Sequence, residues 1–213
     1  MNRLYGAFLQ VAKRRCLVVG GGPVAERKLA GLLECGAQVT VIAPEVTDAI
    51  RKQAESGAIA WEARAYRMGD ASSYFLIIAA TSSQEVNARV YQDGDSAGRL
   101  VNVVNDQELG HFVVPAMVRR GRLSIAVSTS GASPAVARRI KRELEEQFGE
   151  EYAIYLDQLA AVRRTLLQTV EDEKRRTEIF QQIAASDLLR LLRNREYNLA
   201  EQLIANFMGG LQE

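Results

Sequence analysis

The chain is poor in the residues that metal sites and disulfide frameworks require. Its 213 residues include one histidine, His111, and two cysteines, Cys16 and Cys35, which form no CxxC motif. We therefore expect no metal-binding residues and no disulfide framework. We interpret His111 as a hydrogen-bonded structural residue at the start of a strand.

An excess of charge of one sign and a long apolar run are also missing. The 27 Lys and Arg residues are balanced by 26 Asp and Glu residues, and the net charge of +1 creates no global field that attracts nucleic acid or an anionic membrane. No segment approaches the ~20 apolar residues that span a bilayer, and residues 1–15 lack the apolar core of a signal peptide. We expect a cytoplasmic protein with no nucleic-acid partner and no membrane partner, in which any anion site is local.

Strand and helix patterns alternate through the first half of the chain. Several short apolar runs are continuous, which is typical of parallel strands covered on both faces. The predicted strands are 16–19, 38–42, 59–63, 75–80 and 100–104, and the predicted helices run from 24 to a glycine cap at Gly36, from 47 to 56 and from 84 to 97. This alternation predicts an α/β fold of the Rossmann type, a doubly wound parallel sheet, over residues 1–110.

The pattern changes after residue 110. Residues 112–114 and 123–128 are predicted to be strands that flank a turn at 120–122. Ser133 and Pro134 then begin a helix, with Ser133 as its N-cap. Four amphipathic helical patterns follow after residue 150. We therefore predict a small strand-rich segment with a helix over 111–149, involved in dimerisation and substrate binding, and a C-terminal helical domain over 150–213.

A glycine-rich loop lies between the first predicted strand and its helix. The sequence Gly20-Gly21-Gly22-Pro23-Val24-Ala25 fits the GxGxxA pattern. Glycines in this pattern permit a tight turn and a close approach of the backbone to a pyrophosphate, which lies at the helix N-terminus. The loop therefore predicts a dinucleotide site formed by Gly20 to Val24, and the alternative is a glycine-rich turn without a ligand.

The acidic residue that usually contacts the ribose is missing from its usual place about 20 residues further on. Pro44 and Glu45 stand there, and they could reach the ribose through the Glu45 side chain or through backbone groups. No arginine lies beside them to bind a 2′-phosphate, which favours NAD over NADP. Thr81 follows the strand at 75–80, at the sheet edge where the cofactor crosses, although a simple helix cap is an equal interpretation.

Two further segments are candidate anion sites. Thr129, Ser130, Gly131 and Ser133 form a hydroxyl-rich loop that leads into a helix N-terminus, where an anion is stabilised. Arg119 and Arg120 form a basic cluster on the preceding hairpin together with Arg122. A solvated basic face is the alternative explanation of these charges.

Asn105 and Asp106 follow the predicted strand at 100–104. Open α/β sheets bind ligands at the carboxyl ends of their strands, which makes both residues candidates for the catalytic centre. The alternative is an ordinary turn, since Asn and Asp are also common turn residues.

Taken together, these segments resemble the precorrin-2 dehydrogenase family, which includes stand-alone dehydrogenases and the N-terminal part of siroheme synthases. The resemblance covers residues 4–148 in order and spacing. The matching segments are Val18-Val19-Gly20-Gly21-Gly22-Pro23-Val24-Ala25-Glu26-Arg27-Lys28, Ala79-Ala80-Thr81, Val101-Asn102-Val103-Val104, Phe112-Val113-Val114-Pro115-Ala116 and Ser128-Thr129-Ser130-Gly131-Ala132-Ser133-Pro134.

The resemblance implies an NAD-dependent oxidation of a polycarboxylated tetrapyrrole, precorrin-2, to sirohydrochlorin in siroheme biosynthesis. It implies a homodimer, a cofactor-binding role for Asn102, and in some members the insertion of ferrous iron. The sequence departs from the family at Asn105, which stands where a catalytic aspartate usually follows the strand, with the acid displaced to Asp106. We therefore expect dehydrogenase activity but weak or absent iron chelation.

A regulatory NAD-binding module that senses the cofactor without catalysis is the alternative from another functional class. Its fold would be the same up to residue 104. The segment from residue 112 to 134 favours the enzyme, because a sensor has no reason to carry it in this form. The helical tail from residue 150 onward is predicted to serve dimerisation and to cover the tetrapyrrole.

Overall fold

A five-stranded parallel sheet forms the centre of the first of two structural units, Met1–Val114 and Pro115–Glu213. The computed structural model describes residues 4–104, 106 and 109–209. The strands lie in the order β3-β2-β1-β4-β5, the arrangement of a dinucleotide-binding doubly wound sheet. They are β1 (Arg15–Val19), β2 (Gln38–Ile42), β3 (Ala60–Glu62), β4 (Leu76–Ala79) and β5 (Leu100–Val103), joined by the helices α1 (Pro23–Glu34), α2 (Asp48–Glu55) and α3 (Gln84–Ser96).

The predicted α/β sheet is confirmed, and both of its faces are covered. Val18 packs with Leu29 of α1 on one face, and Leu17 packs with Val90 of α3 on the other. This double burial explains why the strands are continuous apolar runs. Cys16 is fully buried in β1, and burial raises the pKa of its thiol to about 11. No disulfide joins it to Cys35 in the described part of the chain.

Asp93, on the buried side of α3, binds the connection between β3 and β4. Its side chain is only 9% exposed and accepts a hydrogen bond from the Tyr66 hydroxyl. It also accepts bonds from the backbone N–H groups of Gly69 (2.8 Å) and Ala71 (3.3 Å). Burial raises the pKa of Tyr66, and the bond to Asp93 raises it further. One carboxylate thereby holds the connection between β3 and β4 against α3.

Trp61 anchors the chain just beyond β2. Its indole Nε1 donates a hydrogen bond to the carbonyl oxygen of Ala43 at 3.0 Å. The Arg51 guanidinium lies 5.0 Å from the centre of the ring, within the range of a cation–π interaction. The connection that begins at Ala43 is therefore held from the β3 side.

The second unit contains one antiparallel hairpin and five helices among its described residues, 115–209. The hairpin consists of β6 (Ala116–Arg120) and β7 (Leu123–Val127). The helices are α4 (Pro134–Gln147), α5 (Glu151–Thr169), α6 (Glu173–Ala184), α7 (Leu188–Arg193) and α8 (Tyr197–Gly209). A separate core that includes Leu159, Leu166 and Ile183 holds the last four together. No helix within the described ranges is both long and apolar enough to cross a membrane.

The predicted strand at 112–114 is wrong, because the hairpin begins only at Ala116. Phe112 packs against the core of the first unit, and its carbonyl oxygen accepts a bond from the side chain of Asn102. Pro115 has no N–H to donate, so strand pairing starts after it. The predicted helix start at Ser133 is confirmed. The division at residues 110 and 149 stays a prediction.

Candidate functional site

Two of the three loop glycines are required by the fold itself. Gly20 has a φ of +120°, and a Cβ there would collide with the carbonyl oxygen of Ala80. A Cβ on Gly21 would collide with the carbonyl oxygen of Glu45. The loop therefore packs closely between the chain segments that follow β4 and β2, and only glycine fits at positions 20 and 21.

Gly22 differs, because the fold does not need a glycine there. Its φ of −83° is open to any residue, and a Cβ would meet no atom within 4 Å. Gly22 is the N-cap of α1, so no side chain caps this helix, and Pro23 follows at the first helical position. The amides of Val24 and Ala25 then have no acceptor within the helix. An exposed space beside these donors fits the pyrophosphate of a dinucleotide.

The segment after β2 is tied directly to the glycine loop. The Thr47 amide donates to the carbonyl oxygen of Gly21 at 2.9 Å, and the Thr47 hydroxyl donates to Glu26 of α1 at 2.7 Å. Pro44 and Glu45 precede this tie, and both are exposed. The structure thus brings Pro44 and Glu45 next to the glycine loop, with the Glu45 side chain open to solvent.

Thr81, after β4, is held by a residue that sequence reasoning missed. Asn87 of α3 is only 6% exposed, and its amide accepts a bond from the Thr81 hydroxyl (2.8 Å) and donates one to the Thr81 carbonyl (3.1 Å). The cap of α3 is Ser83, whose hydroxyl accepts from the Val86 amide. The signal for Asn87 was available, since it is a polar residue on the face of α3 that also carries Val90.

A cavity of about 560 Å³ opens at the carboxyl ends of β4 and β5. Asp106 contributes to its wall, and one oxygen of this carboxylate accepts a bond from the Leu109 amide at 3.0 Å. Asn105, the other predicted catalytic residue, lies outside the described residues. The other lining residues are Thr81, Ser82, Gln84, Glu85, Asn87, Ala88, Val103, Val104 and Leu109. The cavity lies at the sheet edge where open α/β folds bind ligands.

Asn102 of β5 carries a buried acceptor without a partner. The side chain is 8% exposed, and its Nδ2 donates to the Phe112 carbonyl at 2.9 Å. Its Oδ1 has no hydrogen-bond partner among the residues described. A buried carbonyl that lacks a donor is costly, so this oxygen is suited to a ligand that brings one.

The two predicted arginines of the hairpin have different roles in the second unit. The Arg120 side chain is only 17% exposed, and its guanidinium donates to the carbonyl oxygens of Arg119 (2.9 Å) and Glu145 (3.2 Å). Its Nε also lies 3.2 Å from the carboxylate of Glu150. Arg119 is exposed on the hairpin, and Arg122 pairs with Asp157 at 2.7 Å. Arg120 therefore bonds to groups within the second unit, and Arg119 is the more exposed of the two.

The loop before α4 already satisfies part of the helix start. The Ser133 hydroxyl accepts a bond from the Val136 amide at 3.3 Å, and the Thr129 hydroxyl donates to the Ser133 carbonyl at 3.1 Å. Ser130 has a φ of +48° and Gly131 one of +80°. A left-handed serine is uncommon and is often found at functional sites. The start of α4 is thus capped by its own side chain, unlike the start of α1.

The described residues contain no group of three or more His, Cys, Asp or Glu side chains that could hold a metal ion.

Comparisons with known proteins agree with this geometry. A family model described as NAD(P)-binding matches residues 7–116, more than half of the chain, and one described as sirohaem biosynthesis protein central matches residues 120–147. A siroheme synthase from Neisseria meningitidis serogroup C (strain 053442) is 34% identical over 208 residues, which are 95% of this chain and 43% of that protein. The chain thus spans less than half the length of the siroheme synthase it matches.

Two proteins of similar length to this chain also match. A precorrin-2 dehydrogenase from Priestia megaterium is 34% identical over 195 residues, which cover 91% of this chain and 96% of that protein. The solved structure titled SirC, precorrin-2 dehydrogenase, has a TM-score of 0.81 and 31% identity, and covers 98% of this chain and 99% of its own. Because these matches extend over nearly all of both chains, the chain belongs to the precorrin-2 dehydrogenase family.

Proposed function

We propose that the protein is an enzyme that oxidises precorrin-2 to sirohydrochlorin with NAD as the cofactor. The observation that carries this proposal is the uncapped start of α1 at Gly22, which leaves open space and backbone donors where the fold needs no glycine. Precorrin-2 is the proposed substrate because this chain matches a precorrin-2 dehydrogenase over almost the full length of that protein.

The oxidation removes a hydride and a proton from the macrocycle, and bound NAD supplies the hydride acceptor. The residues proposed to hold the pyrophosphate are Gly20, Gly21, Gly22, Pro23 and Val24. Pro44 and Glu45 would bind the ribose, because they adjoin the glycine loop and are exposed. Thr81 and Asn102, at the carboxyl edge of the sheet, complete the proposed cofactor site. Holding two planar partners in register would supply most of the rate acceleration.

The proton requires only a modest acceptor in this mechanism. Asp106 is one of two carboxylates in the wall of the cavity and is exposed, whereas the other, Glu85, is paired with Arg89. Asn105 has an amide, which cannot accept a proton at neutral pH. We propose that Asp106 or water removes the proton, which is acidic once the hydride has left, and that Asn105 contributes a hydrogen bond to the substrate or the ribose.

The test is to supply purified protein with precorrin-2 and NAD and to follow NADH and sirohydrochlorin by absorbance. An enzyme forms both products, whereas the alternative, a regulatory sensor, binds NAD and forms neither. The same assay is run on Asn105→Asp, together with a siroheme assay in the presence of ferrous iron.

We expect the wild type to form NADH but to insert iron weakly or not at all. Metal insertion requires two pyrrole protons to leave as a divalent cation enters, so the missing carboxylate removes both an acceptor and a negative charge. Restoring the carboxylate in Asn105→Asp should raise siroheme formation. Strong chelation by the wild type, or NADH formation that is negligible until the aspartate is present, would contradict the proposed roles of Asn105 and Asp106.

A second prediction separates the two arginines of the hairpin. Arg119→Ala should raise the apparent KM for precorrin-2 and reduce its dependence on salt, because an exposed cation attracts the substrate's carboxylates. Arg120→Ala should instead lower the free energy of unfolding by about 1–3 kcal/mol, since it leaves the part-buried Glu145 carbonyl without this donor. Steady-state kinetics and denaturant unfolding of both variants provide the comparison. An unchanged KM in Arg119→Ala would make that arginine a solvated surface residue.

Thr129, Ser130, Gly131 and Ser133 remain proposed substrate-binding residues. Their support is the unusual conformation of Ser130 and its exposure beside the start of α4. The Ser133 hydroxyl already accepts a hydrogen bond within the helix, so its proposed contribution to a carboxylate is its remaining O–H donor.

We also propose that the protein works in the cytoplasm as a homodimer. Both cysteines are thiols, which fits a reducing compartment. The dimer is supported by large apolar side chains that remain exposed in the helical tail, namely Ile154, Leu167, Tyr197 and Leu199.

A further inference from the structure

We propose that His111 is a positioning residue for the loop that carries Asp106, an inference that rests on the proposed function. The only histidine of the chain lies beyond this loop, at the outer edge of β5. It holds the returning chain to that strand through its main chain and its side chain together.

β5 is the last strand of the sheet, so the main-chain groups on its outer edge need partners. One residue satisfies both groups of Val101. The His111 amide donates to the Val101 carbonyl at 2.8 Å, and the Val101 amide donates to Nδ1 of the imidazole at 3.1 Å. The side chain therefore takes the place that a backbone carbonyl would occupy in a sixth strand.

The imidazole can accept this bond only in one protonation state. A main-chain N–H faces Nδ1, so Nδ1 must carry its lone pair and the proton must be on Nε2. Nε2 lies 3.0 Å from a carboxylate oxygen of Asp95, which accepts that proton's hydrogen bond. The Tyr91 ring packs against the imidazole with a centroid distance of 5.5 Å. Tyr91 and Asp95 are four residues apart on α3, which thus fixes both the tautomer and the ring.

The close approach of residues 110 and 111 to β5 also depends on Gly110. This glycine has a φ of +142° and forms an isolated antiparallel bridge with Asn102. A Cβ at Gly110 would lie 3.2 Å from the Val101 carbonyl oxygen, so a larger residue would push the chain away from β5. Next to His111, the Phe112 carbonyl accepts the bond from Nδ2 of Asn102. Residues 110–112 therefore also orient the buried side-chain amide of Asn102, whose Oδ1 has no hydrogen-bond partner among the described residues.

The chain is consequently held to the sheet on either side of Asp106. Before Asp106, the Val104 amide donates to the Ala79 carbonyl at 2.9 Å. After Asp106, His111 holds the chain to Val101. The Leu109 amide, two residues before His111, donates to the Asp106 carboxylate. The position of Asp106 in the cavity wall is therefore transmitted from His111 through Leu109.

Two substitutions test the contacts of the two imidazole nitrogens one at a time. In His111→Asn the side-chain oxygen can lie where Nδ1 was and accept from Val101, but it cannot reach Asp95. In His111→Gln the longer amide can reach Asp95 but leaves the Val101 amide without its acceptor. His111→Gln loses the part-buried contact with Val101 and His111→Asn only the exposed contact with Asp95, so the lower melting temperature is expected for His111→Gln. We then measure hydrogen exchange at the Val101 and Leu109 amides. We also measure kcat and KM for NADH formation by the whole protein with NAD and precorrin-2.

We expect His111→Gln to exchange faster at both amides and to have a lower kcat than His111→Asn, because a displaced Asp106 leaves the proton to water. Its KM for NAD should change much less. His111→Asn should retain slow exchange and most of the wild-type kcat. Equal kcat and exchange in the two variants, or a His111→Gln protein that behaves as wild type, would overturn the assignment.

The experiment also separates this inference from the proposed function. If the wild type forms no NADH, the proposed function fails and the exchange data alone decide on His111. Faster exchange at Leu109 in His111→Gln but not in His111→Asn would then still support the positioning role, and equal exchange would overturn it.

Discussion

Replacing Gly22 by aspartate is expected to weaken NAD binding at least about tenfold, or 1.4 kcal/mol, while the folded protein remains as stable as wild type. The new carboxylate would lie at the N-cap of α1, in the space proposed for the pyrophosphate, and two anions cannot share it. Aspartate is also a favoured N-cap residue, and the added Cβ meets no atom within 4 Å. Affinity is measured by NAD titration and stability by thermal unfolding.

Gly22→Asn is the matched control, because asparagine has the same size and capping ability but no charge. We expect it to lose less affinity than Gly22→Asp, and the difference between them measures the anionic character of the site. Gly21→Ala is the opposite control, since its methyl group would collide with Glu45 and destabilise the fold. Unchanged NAD affinity in a folded Gly22→Asp protein would refute the glycine-loop assignment.

Asp93→Ala is expected to cause a large loss of stability, on the order of 3 kcal/mol or more. Three donors depend on this buried carboxylate: the Tyr66 hydroxyl and the amides of Gly69 and Ala71. Removing it leaves all three without this acceptor, with the Ala71 contact fully buried and the other two partly buried. Denaturant unfolding measures the change, and hydrogen exchange at Gly69 and Ala71 localises it.

Two further variants calibrate the effect of Asp93. Tyr66→Phe removes one donor and leaves the other two paired, so a loss of about 1 kcal/mol is expected. Glu85→Ala removes an exposed carboxylate from the same helix, where it pairs with Arg89 at the surface, and should change stability by less than about 0.5 kcal/mol. If Asp93→Ala were no more damaging than Glu85→Ala, the carboxylate would not be holding the connection.

The sheet could be predicted from the sequence because its signal is local and repeated. Each strand is an apolar run between turn residues, and the glycine loop marks the first crossover. The segment 112–114 has the same apolar character, yet it forms no strand, because Phe112 packs on the core while Pro115 blocks pairing. Apolar residues reveal that a segment is buried, but not whether its backbone pairs with a neighbouring strand.

The candidate site was less predictable because its contacts join distant parts of the chain. Arg119 and Arg120 are equivalent in the sequence, but Arg120 is committed to the Glu145 carbonyl, and a backbone oxygen has no sequence signature. Asn87 is different, because it lies only six residues from its partner Thr81, and its polar side chain on the face of α3 that carries Val90 was a signal that sequence reasoning overlooked. The glycine loop was accessible to prediction because its function depends on backbone space, which glycine residues reveal directly.

Trp61 provides an intrinsic fluorescence probe close to the proposed ribose site. It is the only tryptophan, and its indole is bonded to the carbonyl of Ala43, immediately before Pro44 and Glu45. All tryptophan emission therefore originates beside the connection proposed to hold the ribose. Displacement of that connection by a ligand changes the surroundings of the indole, and bound NADH, which absorbs where tryptophan emits, quenches it by energy transfer. A fluorescence titration thus follows occupancy at this end of the site without any label.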